Sequence, residues 1–121
     1  MKTVLYVEDN PANVAFIRDL LTTFDAIELI VAVTAEQGIA LAQARRPTVI
    51  LMDIHLPGMS GLDALAALRA SPLTSEIPVI ALTAAASPHE RERGIAAGFF
   101  RYLTKPVKVD QLLAALEELL V

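Results

Sequence analysis

Val49-Ile50-Leu51-Met52-Asp53 is four consecutive apolar residues closed by a carboxylate. The same pattern recurs along the chain. Val4-Leu5-Tyr6-Val7 runs into Glu8-Asp9, Val79-Ile80-Ala81-Leu82 into Thr83, and the run from Phe99 to Leu103, after Thr104, into Lys105. Apolar runs without polar alternation are expected of strands covered on both faces. Between them lie longer stretches with helical spacing. The reading is strands near 3–7, 27–33, 48–52, 77–82 and 99–103, with helices near 11–23, 35–45, 61–70, 88–97 and 109–120. Repeated βα alternation predicts an α/β fold, a doubly wound parallel sheet with helices on both faces.

Local signals mark the helix ends. Asn10-Pro11 reads as an N-cap followed by a first-turn proline, whose missing N–H costs nothing there. Thr34 and Gln37 are spaced as a capping box, and Ser87-Pro88-His89-Glu90 combines the N-cap, the proline and the capping-box glutamate. Arg45-Arg46-Pro47 and Gly98 read as helix stops. Leu112, Ala115, Leu116, Leu119 and Leu120 form one apolar stripe.

Composition narrows the function. The 121 residues suit one domain, taken as residues 1–121. Hydrophobic residues make up 55%, yet no run approaches the ~18–20 apolar residues of a membrane span. The N-terminus turns acidic at Glu8, too early for a signal peptide, so a cytoplasmic protein without a membrane anchor is expected. The net charge is -4 with no basic run and no tryptophan, which argues against direct nucleic-acid binding. The absence of cysteine excludes disulfides, Cys-ligated zinc and thiol catalysis. With only His55 and His89, a multi-histidine metal site is excluded as well.

Neighbouring parallel strands would bring Glu8, Asp9, Asp53, Thr83 and Lys105 to the carboxyl edge of the sheet, where open α/β sheets bind ligands. Three carboxylates there require a counter-ion, and Mg²⁺ suits oxygen ligands while keeping several waters. A carboxylate can attack phosphorus to form an acyl phosphate. Lys105 and Mg²⁺ would then neutralise phosphoryl oxygens, and the Thr83 hydroxyl would donate to one of them. Each residue alone reads as a turn, a cap or a solvated side chain; their conjunction at separate strand ends argues for a site. His89 reads as a solvated first-turn residue, and His55 lies near the site by sequence.

Leu-Tyr-Val-Glu-Asp-Asn (5–10), Ile-Leu-Met-Asp-Ile-His-Leu-Pro-Gly-Met-Ser-Gly (50–61), Pro-Val-Ile-Ala-Leu-Thr-Ala (78–84) and Ala-Gly-Phe-Phe-Arg-Tyr-Leu-Thr-Lys-Pro (97–106) resemble the receiver domain of two-component response regulators. The resemblance spans the chain in order. It implies a flavodoxin-like (βα)5 sheet in strand order 2-1-3-4-5. It implies Asp53 as phosphoacceptor, fed by a histidine kinase or histidine phosphotransfer protein. Asp9 would be a direct Mg²⁺ ligand, Glu8 a water-mediated one, and the His55 backbone carbonyl a further ligand. Thr83 and Tyr102 would form the switch pair, Tyr102 rotating into space that Thr83 vacates. Lys105 would clamp the phosphate, oriented by a cis Lys105-Pro106 bond, and Pro57 to Gly61 would be a tight loop over the site. An effector would read the 88–120 face, and the protein would be a monomer or weak dimer. Such a protein is a switch, catalysing only its own phosphorylation and slow dephosphorylation.

Three positions depart from the family's commonest pattern. Glu8 stands where Asp is more usual, Lys108 where a capping residue is commoner, and Phe100 at a usually polar position that reads either as a partner contact or as packing on the last helix. Two rival classes are a phosphohydrolase resembling the haloacid-dehalogenase family, which needs an acid where His55 stands, and a binding module that is never phosphorylated. A receiver segment of a hybrid sensor kinase is an alternative setting for the same chemistry.

Overall fold

The computed structural model describes residues 2–56, 58–84 and 87–121. The elements run β1 (Lys2–Val7), α1 (Pro11–Leu21), β2 (Ile27–Ala32), α2 (Ala35–Arg45), β3 (Val49–Asp53), α3 (Gly61–Ala70), β4 (Val79–Thr83), α4 (Pro88–Ala97), β5 (Arg101–Thr104) and α5 (Val109–Leu120). The strands are all parallel in the order β2-β1-β3-β4-β5, the flavodoxin-like arrangement expected.

The continuous apolar runs have a direct cause. Successive strand residues point to opposite faces, and here both faces are covered. Leu5, Val7, Ile50 and Met52 pack with Ala64, Leu65 and Leu68 of α3. Val4, Tyr6, Val49 and Leu51 pack on the other side with Ile17 of α1 and Leu112 and Leu116 of α5. A polar residue inside β1 or β3 would have no water on either side.

The boundaries differ from expectation in instructive places. Helix α1 ends at Leu21 rather than 23, because the chain tightens into bonds spanning three residues: Thr22 N–H to the Asp19 carbonyl at 3.1 Å and Thr23 N–H to that of Leu20 at 3.2 Å. The Thr22 hydroxyl also donates to the Asp19 carbonyl at 2.6 Å, competing with the helix. Strand β3 extends to Asp53 and β4 to Thr83, so both polar residues belong to the ladder itself. Strand β5 starts at Arg101 rather than 99. Gly98 closes α4 at φ 117, a left-handed conformation favouring glycine, and Phe99 turns into the core. Arg69 staples this corner, donating to the Ile77 carbonyl at 2.7 Å and the Gly98 carbonyl at 3.2 Å.

The caps follow their signals, with one variation. Asn10, Thr34 and Ser87 accept from the N–H groups of Ala12, Gln37 and Glu90. The Gln37 side chain, however, returns to the N–H of Val33, one residue before the cap, at 2.9 Å. Phe100 is half-buried on the α1–α5 side and lies under the Arg101 guanidinium, 4.3 Å from its ring centroid, which accords with local packing. The Lys105-Pro106 bond is cis, as expected. Of the expected loop at 57–61, Pro57 lies outside the described residues, while Ser60 caps α3 through the Asp63 N–H.

Lys108 is the N-cap residue of α5 and makes no side-chain capping bond. Lys108→Asp places a hydrogen-bond acceptor and a dipole-complementing charge there. It should raise the unfolding free energy by about 0.5–1 kcal/mol. Urea denaturation at pH 7 checks this; an unchanged or lower midpoint would refute it.

Candidate functional site

Sheet order and register build the site. Val7 pairs with Met52, Asp53 with Leu82, and Thr83 with Thr104. Glu8 and Asp53 therefore sit level at adjoining strand ends, with Thr83 one residue further along β4 and Lys105 one residue beyond that at the end of β5. The Lys105 N–H closes on the Thr83 carbonyl at 2.6 Å. From β1 the chain winds first to β2 and then to β3 on its other side, and ligands of open α/β sheets bind at that switch point.

Asp53 is hydrogen-bonded through both carboxylate oxygens. Oδ1 accepts the His55 backbone N–H at 2.9 Å, and Oδ2 accepts the Lys105 ammonium at 2.8 Å. Burial alone would raise its pKa. Lys105, the His55 N–H and a hydrogen bond with Glu8 outweigh that, holding the carboxyl below its ordinary range. Lys105 is subject to the same contest. Desolvation disfavours its charge, but the hydrogen bond and charge of Asp53 dominate and raise its pKa.

Glu8 behaves differently because it is only 1% exposed. Its Oε1 accepts the Asn13 amide at 2.6 Å, the Tyr6 hydroxyl at 3.3 Å and Lys105 at 3.4 Å, while Oε2 accepts the Asp9 N–H at 3.2 Å. Burial, together with its hydrogen bond to Asp53, raises its pKa against the opposing pull of Asn13 and Lys105. Two carboxyls sharing a hydrogen bond divide in this way, burial pushing Glu8 up while Lys105 holds Asp53 down. Asn13 and Tyr6 were not anticipated as site residues. In sequence, Asn13 is one more polar residue of a first helical turn, and Tyr6 is part of an apolar strand.

The expected carboxylate cluster is thus a close Glu8–Asp53 pair with Asp9 on the exposed rim. Among the described residues, no three His, Cys, Asp or Glu side chains form a ready metal cage. The donor chemistry nonetheless fits Mg²⁺, which takes one or two carboxylates and keeps its remaining waters. The expected self-repulsion is relieved in the meantime by Lys105, which contacts both buried carboxyls.

Thr83 has no exposed surface. Its hydroxyl lies 2.8 Å from Nε2 of the exposed His55 ring, and Thr83 tempers the burial-raised pKa of Tyr102. The Tyr102 ring is already inside. It meets Phe99 edge to face at 5.8 Å and lies against Gly94, where an added Cβ would come within 2.3 Å of it. A glycine in α4 provides the seat for the ring in this inward position. Beside it opens a cavity of about 270 Å³ bordered by Ile54, Leu62, Glu90 and Arg93.

A family model for the response regulator receiver domain matches residues 4–117. The chain belongs to this family. Among its relatives, the polar-differentiation response regulator DivK of Brucella anthropi is 36% identical over 119 residues, covering 98% of this chain and 96% of the relative. The receiver domain of sensor histidine kinase PA1611 from Pseudomonas aeruginosa, a structure with magnesium coordinated in its active-site cleft, is 34% identical with a TM-score of 0.85, covering 98% of this chain and 96% of its own. Chemotaxis response regulator CheY4 of Vibrio cholerae gives a TM-score of 0.87 at 29% identity over 99% of each chain. This receiver domain is accordingly a signalling module of two-component systems, a family whose members interact with kinases or phosphotransfer proteins and with effectors. Among the described residues, no helix is long and apolar enough to cross a membrane.

The Lys105–Asp53 pair makes a stability prediction. Lys105→Ala leaves the Asp53 charge, only 11% exposed, without its cation. The cost should be about 1–3 kcal/mol at pH 7 in a chelating buffer. A depressed folded pKa contributes stability that is full above the ordinary carboxyl range and lost as pH falls through the lowered folded value. The gap between wild type and variant should therefore close in acid. Thermal unfolding across pH measures it; a gap that is absent at pH 7 or that widens in acid would be inconsistent with the pair.

Proposed function

We propose that this receiver domain, taken as the whole of residues 1–121, is a phosphoacceptor switch with Asp53 as its nucleophile. The observation that carries this reading is the Lys105 ammonium 2.8 Å from Asp53 Oδ2, in a site where the Asp53 pKa is lowered. An ionised carboxylate beside a fixed cation is both a nucleophile and a clamp for the group it receives. An Asp53 oxygen attacks the phosphorus of a phosphohistidine on a histidine kinase or histidine phosphotransfer protein. The new P–O bond forms as the P–N bond breaks, and the electron pair returns to the donor imidazole, leaving an aspartyl phosphate. Lys105 stays with the phosphoryl oxygens, and Thr83 donates its hydroxyl proton to one of them.

Glu8, Asp9, Asp53 and the His55 carbonyl are the residues proposed to hold Mg²⁺, Glu8 through water. When bound, the ion neutralises phosphoryl charge. Thr83 passes the change to Tyr102, and an effector reads it on the 88–120 face, where the cavity beside Tyr102 opens. The domain is proposed to act in the cytoplasm, as a monomer or weak dimer, without binding nucleic acid and without turning over a separate substrate. The phosphohydrolase alternative is disfavoured because His55, standing where an acid would be needed, directs its ring to Thr83. Similarity to both a response regulator and a sensor-kinase receiver domain fits a separate regulator and a segment of a hybrid kinase equally.

Incubation with Mg²⁺ and acetyl phosphate should add one phosphoryl mass, absent in EDTA and in Asp53→Asn. Intact-mass spectrometry tests this; equal labelling of the variant would reject Asp53. Thr83→Ala should still accept the group but lose its transmission. Amide shifts around Tyr102 on adding beryllofluoride, a phosphoryl mimic, should shrink strongly in that variant; undiminished shifts would show that the signal bypasses the hydroxyl.

A further inference from the structure

We infer that the His55 side chain is a latch on the switch: a positioning residue that holds the Thr83 hydroxyl and competes with the incoming phosphoryl group for it. This rests on the reading of Asp53 as phosphoacceptor. His55 follows the end of β3 by two residues, and Ile54 N–H bonds the Leu82 carbonyl at 3.0 Å, binding the turn after β3 to β4. That turn is fixed a second time by the His55 N–H on Asp53 Oδ1. The backbone of His55 thus holds the acceptor while its ring reaches the hydroxyl at the end of the adjoining strand, 2.8 Å away.

A threonine hydroxyl has one proton to give. If Nε2 accepts, His55 takes that proton. If Nε2 donates, the Thr83 oxygen is occupied and its proton points away from the ring. In either tautomer the ring fixes the orientation of the Thr83 hydroxyl, and a phosphoryl oxygen on Asp53 gains that hydroxyl only by displacing or turning it against this bond. The hydroxyl is wholly buried and the ring exposed. The ring is therefore the mobile partner and is released to water at little cost, whereas Tyr102 is held between Gly94 and Phe99. His55 thereby sets how readily the switch is thrown, without bonding to the phosphoryl group.

The test is a beryllofluoride titration at saturating Mg²⁺ of wild type, His55→Ala, Thr83→Ala and the double variant, followed by NMR of the Thr83 methyl and the Tyr102 amide. One neutral hydrogen bond is at stake, so His55→Ala should bind the mimic about three- to tenfold more tightly. The Thr83 methyl should move on His55→Ala even before the mimic is added, and His55→Gln, which keeps a hydrogen-bonding group, should fall between. In the Thr83→Ala background, removing His55 should have no further effect. Equal or weaker binding by His55→Ala, or the same gain without Thr83, would overturn the latch. If no variant or wild type takes up the mimic, the phosphoacceptor reading fails instead; an unmoved Thr83 methyl in His55→Ala separately refutes the hold on the hydroxyl.

Discussion

The ammonium of Lys105 between Asp53 and Glu8 is the interaction on which the site depends. Two carboxyls at the ends of β1 and β3 lie where water barely reaches, and without a cation at least one would have to stay protonated. Lys105 settles the conflict asymmetrically. It stands 2.8 Å from Asp53 and 3.4 Å from Glu8, so Asp53 is held below the ordinary carboxyl range while burial raises Glu8. The proposed nucleophile and the group proposed to steady its phosphoryl load are thus already matched.

This arrangement relies on a frame that admits no local adjustment. Each central strand is packed on both faces, so a shift in register would push Asp53 or Thr83 into one core or the other. The β3–α3 turn is held by backbone bonds to Leu82 and Asp53, and the β5 end by the bond from Lys105 to Thr83. The groups that meet on this frame are a hydroxyl, an imidazole and an ammonium.

The strand ends were legible in the sequence because two-sided burial leaves an unmistakable signature: an apolar run broken by a polar residue only at the carboxyl edge of the sheet. Asp53, Thr83 and Lys105 could be placed at one edge from that alone. The helix starts were legible from Asn10, Thr34 and Ser87. Other features depend on three-dimensional partners that leave no periodic trace. The shortening of α1 came from the Thr22 hydroxyl, which competes with the helix only in the geometry of its last turn. Asn13 became a site residue because the first turn of α1 passes over Glu8, and nothing in its spacing announced this. The likeness to receiver domains led to an expectation of a moving tyrosine; Gly94, eight positions earlier and unremarkable in sequence, is what places that ring inside.

The seat made by Gly94 has a consequence for how the domain diversifies. Gly94 is the one buried residue of α4, and the remainder of that helix is exposed. A side chain at 94 collides with the tyrosine, but substitutions elsewhere on the helix touch little and usually change stability by less than about 0.5 kcal/mol. The helix is therefore divided into a fixed hinge pin and an editable exterior. The outside of α4 can be rewritten, changing what that face presents, while the tyrosine keeps its seat.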